Sequence, residues 1–407
     1  LLSYADASPP FNYRLVQRLG RPLWQEDPDF DITHHVRHLR PPKPGTVKEL
    51  LKLVGILHGA TMDRSAPLWY LWVISGLSDN RMAVYVQFHH ALIDGVSGSR
   101  MLTQTHSLDA DEREMVPFWA RAVGVQDTAD STLSTEQVGN ILTLARRAAS
   151  SQARVARTFV DSWKGERVGR FGSALYSAPD TLFNTRISGA RRFVADSFSL
   201  SRIKRIGAAL DATVNDVLLL MCGRAIRRYL LELGELPEAS LVAALPVNLR
   251  RDDSVGGNQV TLIRASMGTD QEAIADQIDA VRRSIAQQKA VLGSLSTQET
   301  LVYSMLTLAP AMAHAATGWL QRFKTFNLTL SNVPGSRETL YWNGLELDAI
   351  YPVSMPMHQN ALNFTVFSYR DHIEMGIIGC RTSVPHLQRI LEYLHEALEL
   401  LEQEVNR

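Results

Sequence analysis

Two adjacent histidines followed by an aspartate and a glycine form the part of this sequence best suited to chemistry. His89 and His90 follow an apolar strand-like run, and Asp94 and Gly95 come directly before a helix-like segment. Strand ends and turns are where a rigid scaffold presents reactive groups. A neutral imidazole accepts a proton near neutral pH, so it can activate an alcohol hydroxyl as a general base. The segment therefore predicts a general-base site.

Each of these residues also has a simpler interpretation. A single histidine is more often a packed or surface residue than a base. Asp94 alone suits a helix cap, and Gly95 alone suits a turn. The four residues at this spacing are much rarer by chance than any one of them. We therefore interpret the segment from His89 to Gly95 as functional.

The elements around this segment alternate between strands and helices. Residues 67–74 and 81–89 predict a β-hairpin, and a helix is expected from about Gly95. Residues 30–38 alternate like a strand. Further strands are predicted at 191–199, 240–247, 325–330, 346–353, 362–369 and 372–378. Further helices are predicted at 201–210, 213–233, 272–291 and 384–404. This order indicates an α/β fold in two halves of similar size.

The chain length also favours two domains. With 407 residues, of which 45% are hydrophobic, the chain exceeds one ordinary core. We expect an N-terminal domain over 1–125, a linker with a long helix over 126–180, and a C-terminal domain over 181–407. The chain lacks an initiator Met and begins in a polar loop, so we expect an N-terminal segment to be missing.

Charge and cysteine content exclude some partners and frameworks. Lys plus Arg and Asp plus Glu number 42 each, so no overall charge selects a nucleic acid or an acidic partner. The two cysteines, Cys222 and Cys380, provide no disulfide framework and fit a reducing compartment.

Two segments have more than one interpretation with respect to membranes. Residues 300–321 carry no formal charge and reach the roughly 20 residues of a membrane span. Their polar residues favour a buried helix pair broken near Pro310, with a surface helix or a span as alternatives.

One face of the predicted helix over 136–163 carries three arginines, Arg147, Arg154 and Arg157. We interpret that helix as a solvated linker, and a basic face for phosphates or anionic lipid is the alternative.

Other catalytic classes fit the sequence poorly. The run Gly95 to Gly98 is one residue short of the G-x-S-x-G turn of serine hydrolases. Neither cysteine has an evidently electropositive setting. On a strand His34 and His38 would point away from His35, so we predict no metal site there. The sequence shows no P-loop or dinucleotide fingerprint.

The segment from His89 to Gly95 matches the HHxxxDG motif of the coenzyme A-dependent acyltransferase superfamily. Other segments resemble one group within it, the bacterial wax ester synthase/diacylglycerol acyltransferases. Pro67-Leu68-Trp69 matches a PLW motif, and Asn215-Asp216 lies in a segment similar to ATVNDV. Ser331-Asn332-Val333-Pro334-Gly335 matches SNVPGP except that Ser336 replaces the last proline. Phe30-Asp31-Ile32 followed by His35-Val36-Arg37-His38 also resembles the group, and the matches extend from about residue 27 to 385.

The resemblance implies acyl transfer from an acyl-coenzyme A (acyl-CoA) to a long-chain alcohol or a diacylglycerol. His90 would be the general base and would later protonate the leaving thiolate, with no covalent acyl-enzyme. His89 would shape the motif, and Asp94 would hold the loop through an arginine or backbone groups. Acyl-CoA would be a substrate, and no cofactor or metal is expected.

Roles for the remaining motif residues stay open between two interpretations each. Asn332 and Ser331 either donate to the oxyanion or, in the case of Asn332, cap local backbone. Asn215 and Asp216 are interpreted mainly as helix-capping residues. Pro67, Leu68 and Trp69 either pack in the core or line an acyl pocket.

We expect each domain to contain a mixed sheet flanked by helices, with a substrate tunnel between the domains and His90 near its middle. Long apolar substrates partition into lipid, so the enzyme is expected in the cytoplasm, at the surface of a membrane or lipid inclusion. Two alternatives remain. One is a condensation-type acyltransferase that takes its acyl group from a carrier, and the other is a non-catalytic module of the same fold that binds lipid or a carrier.

Overall fold

The computed structural model describes residues 1–18, 21–93, 95–121, 178–248, 260–296, 299–300, 302–307 and 324–406. These residues form two α/β halves, one with a three-stranded sheet and one with a six-stranded sheet. Both sheets combine parallel and antiparallel pairs and are flanked by helices. This confirms the predicted two-domain α/β fold with mixed sheets.

The first half places its central hairpin next to the predicted site. β4 and β5 pair antiparallel, as predicted, and β3 lies parallel to β4 on its other side. Its elements are β1 (Tyr13–Arg18), β2 (Arg21–Glu26), α1 (Ile32–His35), β3 (Val36–Leu39), α2 (Val47–Gly59), β4 (Trp69–Ile74), β5 (Ala83–Phe88) and α3 (Gly95–Thr105).

The second half is built on a sheet of order β6-β13-β12-β9-β7-β8. The β12–β9 and β9–β7 pairs are parallel, and the other pairs are antiparallel. Its elements are β6 (Arg191–Ser199), α4 (Leu200–Ala209), α5 (Val214–Leu233), β7 (Val242–Asn248), β8 (Val260–Ser266), α6 (Ile274–Gly293), β9 (Leu328–Val333), β10 (Tyr341–Trp342), β11 (Leu345–Glu346), β12 (Leu362–Tyr369), β13 (His372–Cys380) and α7 (Gln388–Val405).

Helix α5 is fixed at both ends by its sequence. The Thr213 N–H donates to Asp216 Oδ2 at 2.8 Å, and the Asp216 N–H donates to Thr213 Oγ1 at 3.3 Å. This reciprocal cap satisfies N–H groups that the first turn leaves without helical partners. Gly234 ends the helix with a left-handed φ of 69°, which a glycine adopts without strain. The cap holds Asn215 in the first turn of the helix.

A shared apolar core joins the two halves. Helix α2 of the first half packs on β6, the edge strand of the six-stranded sheet. A Cβ at Gly59 would lie 2.6 Å from the carbonyl oxygen of Gly189, so the two backbones approach too closely for a side chain. The buried members of this core are Leu50, Leu51, Val54, Trp72, Ile74, Tyr85, Phe193, Ala195 and Ile378.

Three predicted strands were wrong in type or extent. Residues 32–35 form helix α1 rather than strand, because the Asp31 side chain caps it by accepting from the Thr33 N–H at 2.8 Å. In place of the strand at 346–353, only Leu345–Glu346 pairs, in a two-stranded hairpin with β10. The strand predicted to end at residue 330 continues to Val333, since β9 pairs with β12 over that length.

Several predictions concern residues outside the described part of the chain. These include Asp94, most of the linker over 126–180 with its long helix and three arginines, and residues 301 and 308–321 of the uncharged segment. Among the described helices, none is by itself long and apolar enough to cross a membrane. Helices α4 and α5 pass that test only as a pair, and the pair is bent by 98° at its break.

Glu374 on β13 is a carboxyl group enclosed by the second half. Its side chain is 1% exposed and accepts a hydrogen bond from the Ser197 hydroxyl. Burial raises its pKa from 4.5 to about 7, and the charges of Asp196 and Asp348 add to this effect against the lowering by the Ser197 bond. Glu374 therefore favours its protonated form in the folded chain.

A Glu374→Gln variant is expected to be more stable than the wild type above about pH 7 and nearly equal to it below pH 4.5. Between these values the folded chain binds a proton that the unfolded chain has lost, so wild-type stability falls as pH rises. Urea unfolding across this range measures the difference, with Glu338→Gln, at an exposed position, as the control. A stability difference that did not change with pH would contradict this account.

Candidate active site

His89 and His90 follow β5 directly, in a tight turn fixed by backbone bonds. The His89 N–H donates to the carbonyl oxygen of Leu68 at 3.0 Å, which ties the turn to the start of β4. The N–H groups of Leu92 and Ile93 both donate to the His89 carbonyl oxygen, at 2.8 and 3.4 Å. The segment thus leaves the sheet as predicted and turns toward α3.

The ring of His89 is engaged within the turn. The Ala91 N–H donates to its Nδ1 at 3.2 Å, so Nδ1 is an acceptor and the neutral ring carries its proton on Nε2. Burial lowers the pKa of His89, and the charges of Arg64 and His90 lower it further. A neutral ring that accepts a backbone hydrogen bond suits a residue that shapes the turn.

The side chain of His90 has a different setting. It is exposed, and it makes no hydrogen bond to any residue in the described part of the chain. Asp94 lies outside the described residues. Gly95 opens α3, and a Cβ there would lie 3.4 Å from Cγ2 of Val333. The imidazole of His90 is therefore open to a bound substrate, at a turn that adjoins β9 of the other half.

Helix α3 and β9 make this contact between the halves. The Ser99 hydroxyl on α3 donates to the carbonyl oxygen of Pro334 at 2.8 Å. The next residue, Gly335, lies against β12: its N–H donates to Ser368 Oγ at 3.0 Å, and a Cβ there would lie 2.2 Å from the Ser368 carbonyl oxygen. Only glycine fits this position, so close packing against β12 explains the glycine of the Pro-Gly segment.

Asn332 and Asn215 meet although 117 residues separate them in sequence. The Asn332 Nδ2 donates to Asn215 Oδ1 at 2.6 Å, and both side chains are exposed. Ser331 is turned toward the neighbouring strand, with Oγ 3.4 Å from the Phe364 carbonyl oxygen and from Thr365 Oγ1. The structure therefore brings two predicted segments together and leaves the Asn332 amide facing solvent.

The Pro67-Leu68-Trp69 segment is buried beneath the histidine turn. Trp69 is fully enclosed, and its Nε1–H donates to the carbonyl oxygen of Phe11 at 2.8 Å. Its indole stacks on His35 with ring centroids 4.5 Å apart. These contacts are those of a core residue, which the sequence left open as one of two interpretations.

His35 is a supporting residue whose packing role was not predicted from the sequence, where it was considered as a metal ligand and rejected. Its Nδ1 donates to the Trp69 carbonyl oxygen at 2.8 Å, and burial lowers its pKa. His38 instead bonds Ser75 Oγ at 2.7 Å. The signal that could have revealed the role of His35 is the aromatic run around it, since Phe30 stacks on its other side.

Two family models match the chain. The wax ester synthase/diacylglycerol acyltransferase catalytic domain matches residues 2–218, and the C-terminal domain of the same family matches residues 256–402. The O-acyltransferase WSD of Acinetobacter baylyi is 36% identical over 97% of this chain and 85% of the relative. A Mycobacterium tuberculosis protein named "probable diacylglycerol O-acyltransferase" is 37% identical over 95% of this chain and 85% of that protein.

Solved structures agree with the sequence relatives. The wax ester synthase/diacylglycerol acyltransferase of Marinobacter aquaeolei VT8 is 37% identical and superimposes with a TM-score of 0.76, covering 99% of this chain and 87% of that one. The first condensation domain of the CDA synthetase shares the fold at 14% identity, with a TM-score of 0.53 over 99% of this chain and 85% of that one. The chain therefore belongs to the wax ester synthase/diacylglycerol acyltransferase family and is an O-acyltransferase.

Proposed function

We propose that this enzyme transfers a long-chain acyl group from acyl-CoA to a long-chain fatty alcohol, a diacylglycerol or both, with His90 as the general base. The observation that carries the proposal is the exposed imidazole of His90 beside the contact between the halves. Ser99 bonds Pro334 across that contact, and Asn332 bonds Asn215 within the second half. Acyl-CoA is consumed as a substrate, and the reaction requires no resident cofactor.

The proposed reaction is a direct transfer. A nitrogen of His90 accepts the hydroxyl proton as the alcohol oxygen attacks the thioester carbonyl carbon. The resulting tetrahedral oxyanion collapses to an ester, and the carbon–sulfur bond breaks. The imidazolium of His90 then gives its proton to the leaving thiolate, which restores the neutral base. His89 holds the turn, and Asp94 and Gly95 connect it to α3.

We propose Asn332 as a donor to the oxyanion. A primary amide has two N–H donors, and one of those on Asn332 is used by Asn215. The second is available to a developing negative charge, and the bond to Asn215 fixes the orientation of the amide. Ser331 is the weaker candidate because its hydroxyl lies against β12. Asn215 and the capping residue Asp216 position the amide.

An Asn332→Ala variant is expected to lower kcat by about 10²–10³-fold with little change in KM, because the lost bond forms in the transition state. Ser331→Ala, the matched control on the same strand, should lower kcat far less. Steady-state kinetics of both variants with acyl-CoA and a fatty alcohol make the comparison. Equal losses of kcat in the two variants, or a change confined to KM, would show that Asn332 does not donate to the oxyanion.

We further propose that the substrates meet in a tunnel between an N-terminal domain over 1–125 and a C-terminal domain over 181–407, joined by the linker over 126–180. The acyl donor would enter from one side and the alcohol from the other. Because both substrates carry long apolar chains that partition into lipid, the enzyme would act at the surface of a membrane or lipid inclusion in the cytoplasm. The buried Pro67-Leu68-Trp69 segment would support this site from below.

The proposed reaction is tested by assaying palmitoyl-CoA with hexadecanol and, separately, with a diacylglycerol. Ester and free thiol are followed together. We expect one thiol per ester and no thiol burst when the alcohol is omitted. A burst equal to the enzyme concentration would refute direct transfer. If neither acceptor yields ester, the two alternatives remain, a condensation-type acyltransferase with a carrier-bound donor and a non-catalytic binding module. Repeating the assay with an acyl-carrier protein as donor distinguishes them.

A further inference from the structure

A basic pocket lies between helices α5 and α7, outside the candidate active site. It has a volume of about 160 Å³, and its α5 wall carries Arg224, Arg227 and Arg228. Arg227 is 12 residues from Asn215, which places the pocket about 18 Å from the active site along the helix axis. The pocket is therefore a separate site on the helix that positions Asn332.

These three arginines are held by neutral groups. Arg224 and Arg227 donate to backbone carbonyl oxygens of residues 269–272 at 2.7–3.2 Å. The guanidinium of Arg228 lies over the ring of Tyr393, 5.8 Å from its centroid. In the described part of the chain, none of the three forms an ion pair with a carboxylate. Their positive charges are therefore offset only by carboxylates at a longer distance, among which Glu272 acts on Arg224.

The acidic residues nearby reduce this charge only in part. Glu396 lines the α7 side of the pocket, so three guanidinium groups and one carboxylate leave a net charge of +2 on the described lining. Glu232 is already engaged, since it pairs with Arg389 and accepts a hydrogen bond from the Tyr393 hydroxyl. The pocket thus presents a positive field to an anion.

Apolar side chains also line the pocket. Leu231 is 49% exposed and Leu400 is 43% exposed, one on each helix. An anion with an attached hydrocarbon chain could use both features, whereas a free anion would use only the arginines. Arginine forms bidentate hydrogen bonds with phosphate oxygens, and a cavity of about 150 Å³ already holds a benzene molecule. A phosphate group therefore fits the pocket.

We propose that the pocket between α5 and α7 binds the phosphate headgroup of an anionic phospholipid and so seats the second half on a membrane surface. This inference rests on the proposed action at a lipid surface and names its contact. The phosphate enters between Arg227 and Arg228, and the glycerol and acyl region lies along Leu231 and Leu400.

Vesicle flotation of the full chain tests the proposal. Wild-type protein is expected to float with vesicles of phosphatidylcholine mixed with phosphatidylglycerol, and much less with phosphatidylcholine alone. The double variant Arg227→Gln, Arg228→Gln should bind the mixed vesicles about 30-fold more weakly. The control Lys204→Gln, Arg205→Gln removes the same charge from exposed positions on α4 and should bind like the wild type.

The possible outcomes separate the sources of the phosphate. Equal losses of vesicle binding in both double variants would contradict binding at this pocket, because they would indicate a general effect of net charge. Titration with glycerol 3-phosphate and with inorganic phosphate provides a soluble arm. If these bind the pocket while vesicles do not, the lipid assignment is wrong. The readout is binding and not ester formation, so a negative result would leave the proposed acyl transfer intact.

Discussion

A His90→Ala variant should lose about 10²–10⁴-fold in kcat for ester formation, because removal of a general base costs an amount of this order. The side chain is exposed at a turn whose backbone bonds come from His89 and Leu68. Its removal should therefore leave the fold and its melting temperature unchanged. Ester synthesis from palmitoyl-CoA and hexadecanol, with thermal unfolding alongside, measures both quantities.

His372→Ala serves as the matched control, since His372 is exposed at the start of β13 in the second half. It should retain wild-type kcat. Added imidazole should restore part of the activity of His90→Ala and have no effect on the control. If a folded His90→Ala enzyme made ester at the wild-type rate, another group would be the base, and the chemistry proposed for the turn would be wrong.

A Trp69→Ala variant should lower the free energy of unfolding by about 3–5 kcal/mol, the cost typical of truncating a buried tryptophan. Trp69 is fully buried, packs against Phe118 and Trp119, and donates to the Phe11 carbonyl oxygen. The variant would leave a cavity and an unpaired carbonyl group. Denaturant unfolding of both proteins measures the change.

Trp24→Ala provides the comparison, because Trp24 is partly exposed on β2. It should cost much less stability. If Trp69→Ala retained wild-type stability but altered the preference for acyl chain length, Trp69 would line the acyl pocket instead. Both interpretations of this residue therefore make separable predictions.

Local sequence signals predicted most of the fold. The hairpin of β4 and β5 and the helices α3, α4 and α5 follow from apolar periodicity and caps, which depend on neighbouring residues. The strand predicted over 30–38 was wrong at residues 32–35, because a few alternating residues do not distinguish a strand from a short helix. The Asp31 side chain caps this segment and so stabilises the helix. Strand β8 was missed, and its pairing with β7 is a tertiary contact.

The candidate site was predictable in its parts but not in its assembly. Sequence singled out His90 and Asn332, because motif residues are contiguous in the chain. The bond between Asn332 and Asn215 depends on how β9 and α5 lie in the folded second half. The exposure of His90 and the hydrogen bond from the Ala91 N–H to the His89 ring likewise depend on the conformation of the turn. Non-local geometry of this kind has no local signal.

The position of β6 has a consequence for recombining members of this family. The catalytic family model ends at residue 218, and the C-terminal model begins at residue 256, yet β6 pairs along its whole length with β13. A chimera joined between these models would take α2 and β6 from one parent and β13, the neighbour of β6, from the other. A C-terminal fragment beginning at 256 would expose the edge of β13, and open strand edges promote aggregation. A crossover between α2 and β6 keeps β6 and β13 from one parent but divides the contact between α2 and β6, so only a crossover before α2 preserves the whole unit. Gene shuffling should therefore respect strand pairing rather than the family boundaries.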